Sequence, residues 1–423
     1  MKLQIPKFYI QYTSKDDIIL VVYCIFIWGY KMKKSIIIII LIVCIAVLSF
    51  SVGKNWKKDS SFSMAVQEYL ENRENFLVKN YQPLDINAKY PDMGIVSDNL
   101  KSYDVYLLGG NKENKINDDM ENYFIKYFVE KQGVKHIVLD IPYSVSVNLN
   151  KYIQTGDTNY IKSFSEYMLL SGDYKIELNR NWQQIKEYSD SLPKDKKFQI
   201  TGFNMNVNPY YTSNIIKNLI KGKNIESIPN LKNLEGLIKG DKGDKVNEQD
   251  IKKLNEAALK IKNEIGNAGY KTIFKNDYLS LRLLINELES STKIILNKYS
   301  KDDIEKQQQS FFKENYDLYS PSNTGKYFAS LDVTNIVNSS FKGTIYKIGI
   351  LYIKTNGENP IIYNDLLPYI EDKDAAVAFR TKGKYSPFNY ENLTILSDKF
   401  DSSNTTKISD DFNLIVLVKS DKK

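Results

Sequence analysis

Residues 103–114 read Tyr-Asp-Val-Tyr-Leu-Leu-Gly-Gly-Asn-Lys-Glu-Asn. Tyr103–Leu108 has the aliphatic and aromatic density of a buried strand, and Gly109-Gly110 is its exit turn. Beyond it, Asp118–Gln132 sets Met120, Tyr123, Phe124, Tyr127 and Phe128 on one side of a helix that Gly133 stops. Lys135–Asp140 is a second buried strand, with Pro142 just after it. Strand, helix and strand in so short a span form the crossover of a parallel sheet. In such sheets ligands and chemistry gather where the strands end. The Gly109-Gly110 turn therefore has the position of an active site, yet it holds no histidine and no carboxylate beside the glycines.

Outward from this unit the alternation continues. Lys197–Phe203, Gly325–Leu331, Thr344–Ile353, Ala375–Phe379 and Phe412–Val418 read as strands. Met64–Val78, Val145–Ile153, Trp182–Leu192, Glu248–Ile265 and Asp277–Ser300 have helical spacing, and Tyr81–Ile86 reads as a connector. The predicted fold is α/β: a mostly parallel central sheet with flanking helices and a helical insertion near residues 210–320. The 423 residues are ample for that core.

The net charge of +7 raises the question of a nucleic-acid partner. Residues 1–58 hold nine lysines and two aspartates and account for all of it. The rest of the chain is neutral, which argues against an electrostatic nucleic-acid binder. Within the basic segment, residues 35–52 are an apolar run close to the minimum for a bilayer span. We read this run as an uncleaved single-pass anchor. A cleaved signal or an acylated Cys44 is the alternative, giving a secreted protein or a lipoprotein. Lys31, Lys33 and Lys34 before the run favour a cytoplasmic N-terminus, with the body outside the membrane. Residues 1–34 read as an extension, with Met32 as the expected natural start. Residues 53–100 read as a linker with a helix, and 101–423 as the α/β domain.

Both cysteines, Cys24 and Cys44, lie in the N-terminal segment, and His136 is the sole histidine. The body therefore has no disulfide, no thiolate nucleophile and no Cys- or multi-His metal site. A Ser-His-Asp triad is all but excluded. We expect no cofactor and no metal; any cation would need oxygen ligands.

The stretches Asp104–Asn114 and Gly133–Asp157 resemble the opening of the erythromycin esterase family. That family shows a strand ending Leu-Leu-Gly-Glu-x-His, a helix, and a strand ending in Glu. An Asn-x-Tyr-x-x-x-Gly-Asp stretch follows, matched here by Asn150, Tyr152, Gly156 and Asp157. Lys197–Asn206 is similar to its strand ending Gly-x-Asp, Gln308–Asn315 to its Arg-x-x-x-Met-x-x-Asn helix, and Gly325–Ile336 to its later strand and Gly-x-x-His turn. The resemblance implies a deep cleft in which an acid/base pair activates water. At the motif positions this chain carries Gly110 for Glu, Lys112 for His, Asn204 for Asp, Gln308 for Arg and Asn335 for His; only Asp140 keeps a carboxylate. General base catalysis needs a titratable group near the working pH. Glycine and asparagine supply none.

The first reading is a catalytically degenerate domain that binds or senses an unknown small molecule in the cleft. The second is a hydrolase of an ester or amide with Asp140 as acid/base. A weaker third is a structural surface protein that binds a partner. Each residue also has a plainer role. Asp140 suits a turn cap, Lys112 an exposed loop, and His136 a sheet edge or the surface. Asn204 and Asn335 remain able to orient a ligand by hydrogen bonds.

Overall fold

The computed structural model describes residues 60–96, 100–110, 116–162, 172–206, 208–238, 247–332, 341–354, 366–370, 376–389 and 407–420. The chain divides into two units, Met1–Leu70 and Glu71–Lys423. The described part of the first is the start of helix α1 (Ser60–Lys79); the sheet and its helices lie in the second. Residues 35–52, read as a membrane anchor, lie outside the described residues. Among the described residues no helix is long and apolar enough to cross a membrane.

The second unit is built on one eight-stranded sheet. Its strands are β1 (Tyr81–Leu84), β2 (Val105–Gly110), β3 (His136–Pro142), β4 (Gln199–Asn204), β5 (Tyr327–Asp332), β6 (Ile345–Lys354), β7 (Ala376–Arg380) and β8 (Leu414–Ser420). Their order is β1-β7-β8-β6-β2-β5-β3-β4. From β8 to β4 every neighbouring pair is parallel, and β7 alone runs antiparallel to both its neighbours. β2 and β3 are parallel, as the crossover requires, but they do not touch. β5 lies between them, pairing Gly110 with Asp332 on one side and Leu139 with Ser330 on the other.

All six residues of β2 are buried, as expected for a strand covered on both faces. Val105 and Leu107 enter one core; Tyr106 and Leu108 enter the other. The second core is closed by α2 (Ile116–Gln132), α3 (Tyr143–Thr155) and α4 (Gly172–Ser191), through Phe124, Phe128, Leu149, Trp182 and Ile185. Tyr106 stacks on Phe128 at 4.2 Å, and Phe128 stacks on Phe328 at 5.4 Å. Each such pair contributes roughly 0.5–1.5 kcal/mol beyond the area it buries.

The first core is closed by the chain between β4 and β5: α5 (Pro209–Ile220), α6 (Pro229–Leu237), α7 (Glu248–Glu264), α8 (Ala268–Phe274), α9 (Tyr278–Leu296) and α10 (Lys301–Tyr319). Helix α9 is its centre, buried around most of its circumference. Local rules set the helix ends. Gly156 takes the left-handed conformation (φ 75°) that closes α3, and its N–H bonds the Tyr152 carbonyl at 2.7 Å. A reciprocal Ser300–Asp303 capping box opens α10.

Two expectations are corrected. Tyr81–Leu84 is edge strand β1, not a connector; Pro83 disguised it, and an edge is where a strand tolerates proline. His136 is buried inside the sheet, between β4 and β5, not at an edge or on the surface. Its ring stacks on Tyr327 at 4.9 Å. Nε2 lies 3.0 Å from the Thr324 carbonyl, so Nε2 carries the proton and Nδ1 faces the Tyr319 hydroxyl at 3.3 Å.

Candidate functional site

The carboxyl ends of β2, β5, β3 and β4 deliver Gly110, Asp332, Asp140 and Asn204 to one edge of the sheet. Asp140 arrives through a bulge: the β3–β4 register slips between Leu139 and Pro142. Bulges re-aim side chains at such places. The bulge lays the Ile141 carbonyl across Gly202, where any Cβ would overlap it and would stand 2.7 Å from Ile141 Cγ1. Gly202 is thus required by the backbone that presents Asp140.

Asn204 Nδ2 donates to Asp140 Oδ1 at 2.9 Å, and Asn204 Oδ1 accepts from the Met205 N–H at 2.7 Å. Gln308 Oε1, reaching in from α10, takes the same N–H at 3.3 Å. Asp140, Asn204 and Gln308 therefore form one connected cluster. Gly110 stands at the same edge on β2, beyond the intervening β5. Lys112 and Asn335 lie outside the described residues. The carboxylate that sequence reasoning passed over at this edge is Asp332, the last residue of β5 and half-buried.

Gly110 has a structural reason to be glycine. A Cβ there would overlap Asn117 Oδ1 and come within 2.7 Å of the Tyr352 hydroxyl. Asn117, at the start of α2, accepts a hydrogen bond from that hydroxyl at 2.8 Å. The pair fills the space that a side chain at position 110 would enter.

Beside Met205 the helical layer leaves a cavity of about 230 Å³, lined in part by Glu289, Lys293, Gln307 and Phe311. Lys262 and Glu314, paired at 2.9 Å, also line it and are shared with a neighbouring cavity of about 350 Å³ between α7, α9 and α10. Burial works against the charge of Lys262, but the Glu314 and Glu289 carboxylates hold its pKa above the ordinary lysine value. Among the described residues, no three His, Cys, Asp or Glu side chains are grouped to hold a metal ion.

Behind the cluster is a group that sequence reasoning missed. Glu287, in the middle of α9, is 1% exposed. It accepts hydrogen bonds from the Ser144 N–H (2.8 Å), the Ser144 hydroxyl, Asn206 Nδ2 (2.7 Å) and the Thr212 hydroxyl (2.7 Å). Burial raises its carboxyl above the ordinary glutamate range, and these donors pull the other way. Tyr143, beside it, is pushed up to about 12 by burial. The signal in the sequence was an acid set among Leu283, Leu284, Ile285 and Leu288, with a second acid, Glu289, two residues on.

The Asn-x-Tyr-x-x-x-Gly-Asp stretch proves architectural. Asn150 accepts from the Ile200 N–H at 2.9 Å and donates to the Ile200 carbonyl at 2.6 Å, completing the outer edge of β4. Tyr152 and Gly156 close α3.

No protein-family model matches the chain, and no curated protein sequence matches it. Solved structures do. A Bacillus cereus protein superposes with a TM-score of 0.60 at 16% identity, over 82% of this chain and 97% of its own. A structure described as a succinoglycan biosynthesis protein gives 0.58 at 14%, over 82% and 96%. An erythromycin esterase variant in its open conformation gives 0.57 at 12%, over 80% and 97%. The chain has the erythromycin-esterase-like fold.

Proposed function

We propose that this erythromycin-esterase-like domain is a ligand-binding or sensing module whose hydrolytic machinery has been dismantled. The observation that carries the reading is at Gly110. The family pattern asks for a glutamate there, and here Asn117 and Tyr352 occupy its space. The loss is built into the packing rather than confined to one replaced residue. Asn204, an amide where the pattern asks for an acid, holds Asp140 by a hydrogen bond. What persists is a sheet edge with convergent polar groups and an adjoining cavity, the usual form of a small-molecule site. Residues 35–52 would tether the module to the outer side of the cytoplasmic membrane.

The test is to incubate the full chain with a macrolide and a panel of p-nitrophenyl esters, following products by mass spectrometry. No product above the buffer rate is the expected result. Turnover that Asp140→Asn abolishes would overturn the reading and favour a hydrolase using Asp140. Protease accessibility in intact cells checks the tether: the body is expected to be cleaved from outside.

A further inference from the structure

Glu287 hydrogen-bonds Ser144, Asn206 and Thr212 rather than Asp140 or Asn204 themselves. Its partners come from the two turns that carry them: Ser144 stands four residues after Asp140, and Asn206 two residues after Asn204. Thr212, one turn into α5, is the third partner. One side chain of the helical layer thus grips both strand–helix turns of the cleft floor. We propose that Glu287 is the positioning residue of the cleft, a clasp that sets the Asp140–Asn204 pair by holding the two turns in register.

The direction of each hydrogen bond follows from its surroundings. The Ser144 N–H can only donate. The Asn206 amide is oriented because its Oδ1 accepts from the Asn208 N–H at 2.7 Å. Its Nδ2, a donor only, also stands 2.8 Å from Thr212 Oγ1 and 3.3 Å from Ser144 Oγ and shares its two hydrogens among them and Glu287, so both hydroxyl protons turn toward Glu287. Four donors converge on one carboxylate, the Ser144 N–H on Oε2 and the other three on Oε1. The first of them is at the amino end of α3, where the helix dipole also favours negative charge. Tyr143 is a titratable neighbour of the carboxylate, and its hydroxyl bonds Ser280 Oγ at 2.8 Å. The clasp holds whatever the cleft binds.

Glutamine has the shape of glutamate but brings two N–H donors into a site already full of donors. In Glu287→Gln the side-chain amide signals of Asn204, in a sample labelled with ¹⁵N-asparagine, are expected to move to the free-amide position. Amide exchange in residues 141–149 and 203–212 should accelerate together, by tenfold or more. Leu284→Ala, on the same helix, controls for loss of stability: it should lower the unfolding midpoint and leave the Asn204 signals in place. Thr212→Val, which removes one donor, should shift them partway even if Glu287→Gln fails to fold. Unchanged Asn204 signals in Glu287→Gln, loosening of one turn only, or an equal shift in Leu284→Ala would each overturn the clasp.

Discussion

Two glycines at the sheet edge have opposite neighbours, and each makes a residue-scale prediction. At Gly110 the obstruction is a side chain, so it is removable. Gly110→Ala should destabilise by about 1–3 kcal/mol through overpacking. Adding Asn117→Ala should recover much of that loss, appearing in chemical unfolding as strong non-additivity. At Gly202 the obstruction is the Ile141 carbonyl, and no second substitution can remove it. Gly202→Ala should cost at least as much and stay costly in any side-chain background. Gly236, exposed in α6 with nothing near its absent Cβ, is the contrast. Gly236→Ala should stabilise by up to about 0.5–1 kcal/mol.

Among the elements, β4 shows how an edge strand is kept from becoming a template for another chain. Asn150 supplies both a donor and an acceptor to the Ile200 backbone, standing in for a ninth strand. Asn150→Ala leaves two buried backbone groups unpaired, at roughly 1–3 kcal/mol. Hydrogen exchange should report it as faster opening of β4, with β2 unchanged. Elements are also where the sequence was most and least legible. β2, β3 and β5 are apolar runs because neighbours cover them on both faces, and that density is visible without any structure. β1 carries Gln82 and Pro83, so its composition says loop; only its pairing with Ala376–Phe379 makes it a strand. That three distant motif positions meet was legible, but not what supports them. Motif order singled out Asp140, Asn204 and Gln308, which the fold brings into one hydrogen-bonded cluster, whereas Glu287 and Ser144 are polar residues on apolar helix faces, and no local pattern announces that they meet.

For the whole molecule, the sole histidine makes the pH response readable. His136 was misjudged because the aromatic rings that bury it, Tyr319 and Tyr327, come from far along the chain. Burial lowers its pKa below the ordinary 6.5, so the folded state holds it neutral. As pH falls below about 6.5 the unfolded chain binds the proton first. His136 therefore contributes no loss above that value, and stability declines as pH falls through the window down to its lowered folded value. Thermal midpoints of the native chain and His136→Gln should differ most near neutral pH and converge toward pH 5. A constant difference across that range would show that the ring does not titrate differently on folding.

The strand order also bears on how the protein is made. β2 and β3 leave the ribosome as neighbours in time but must wait for β5 as their partner in space. β3 ends at Pro142 and β5 begins at Tyr327, with the whole helical layer synthesised between them. At 5–20 residues per second the delay is on the order of ten seconds or more. Throughout it, two apolar strands carry unpaired edges on a nascent chain. A holding chaperone, or a partner strand from outside, has its opportunity in that interval, before the cleft exists.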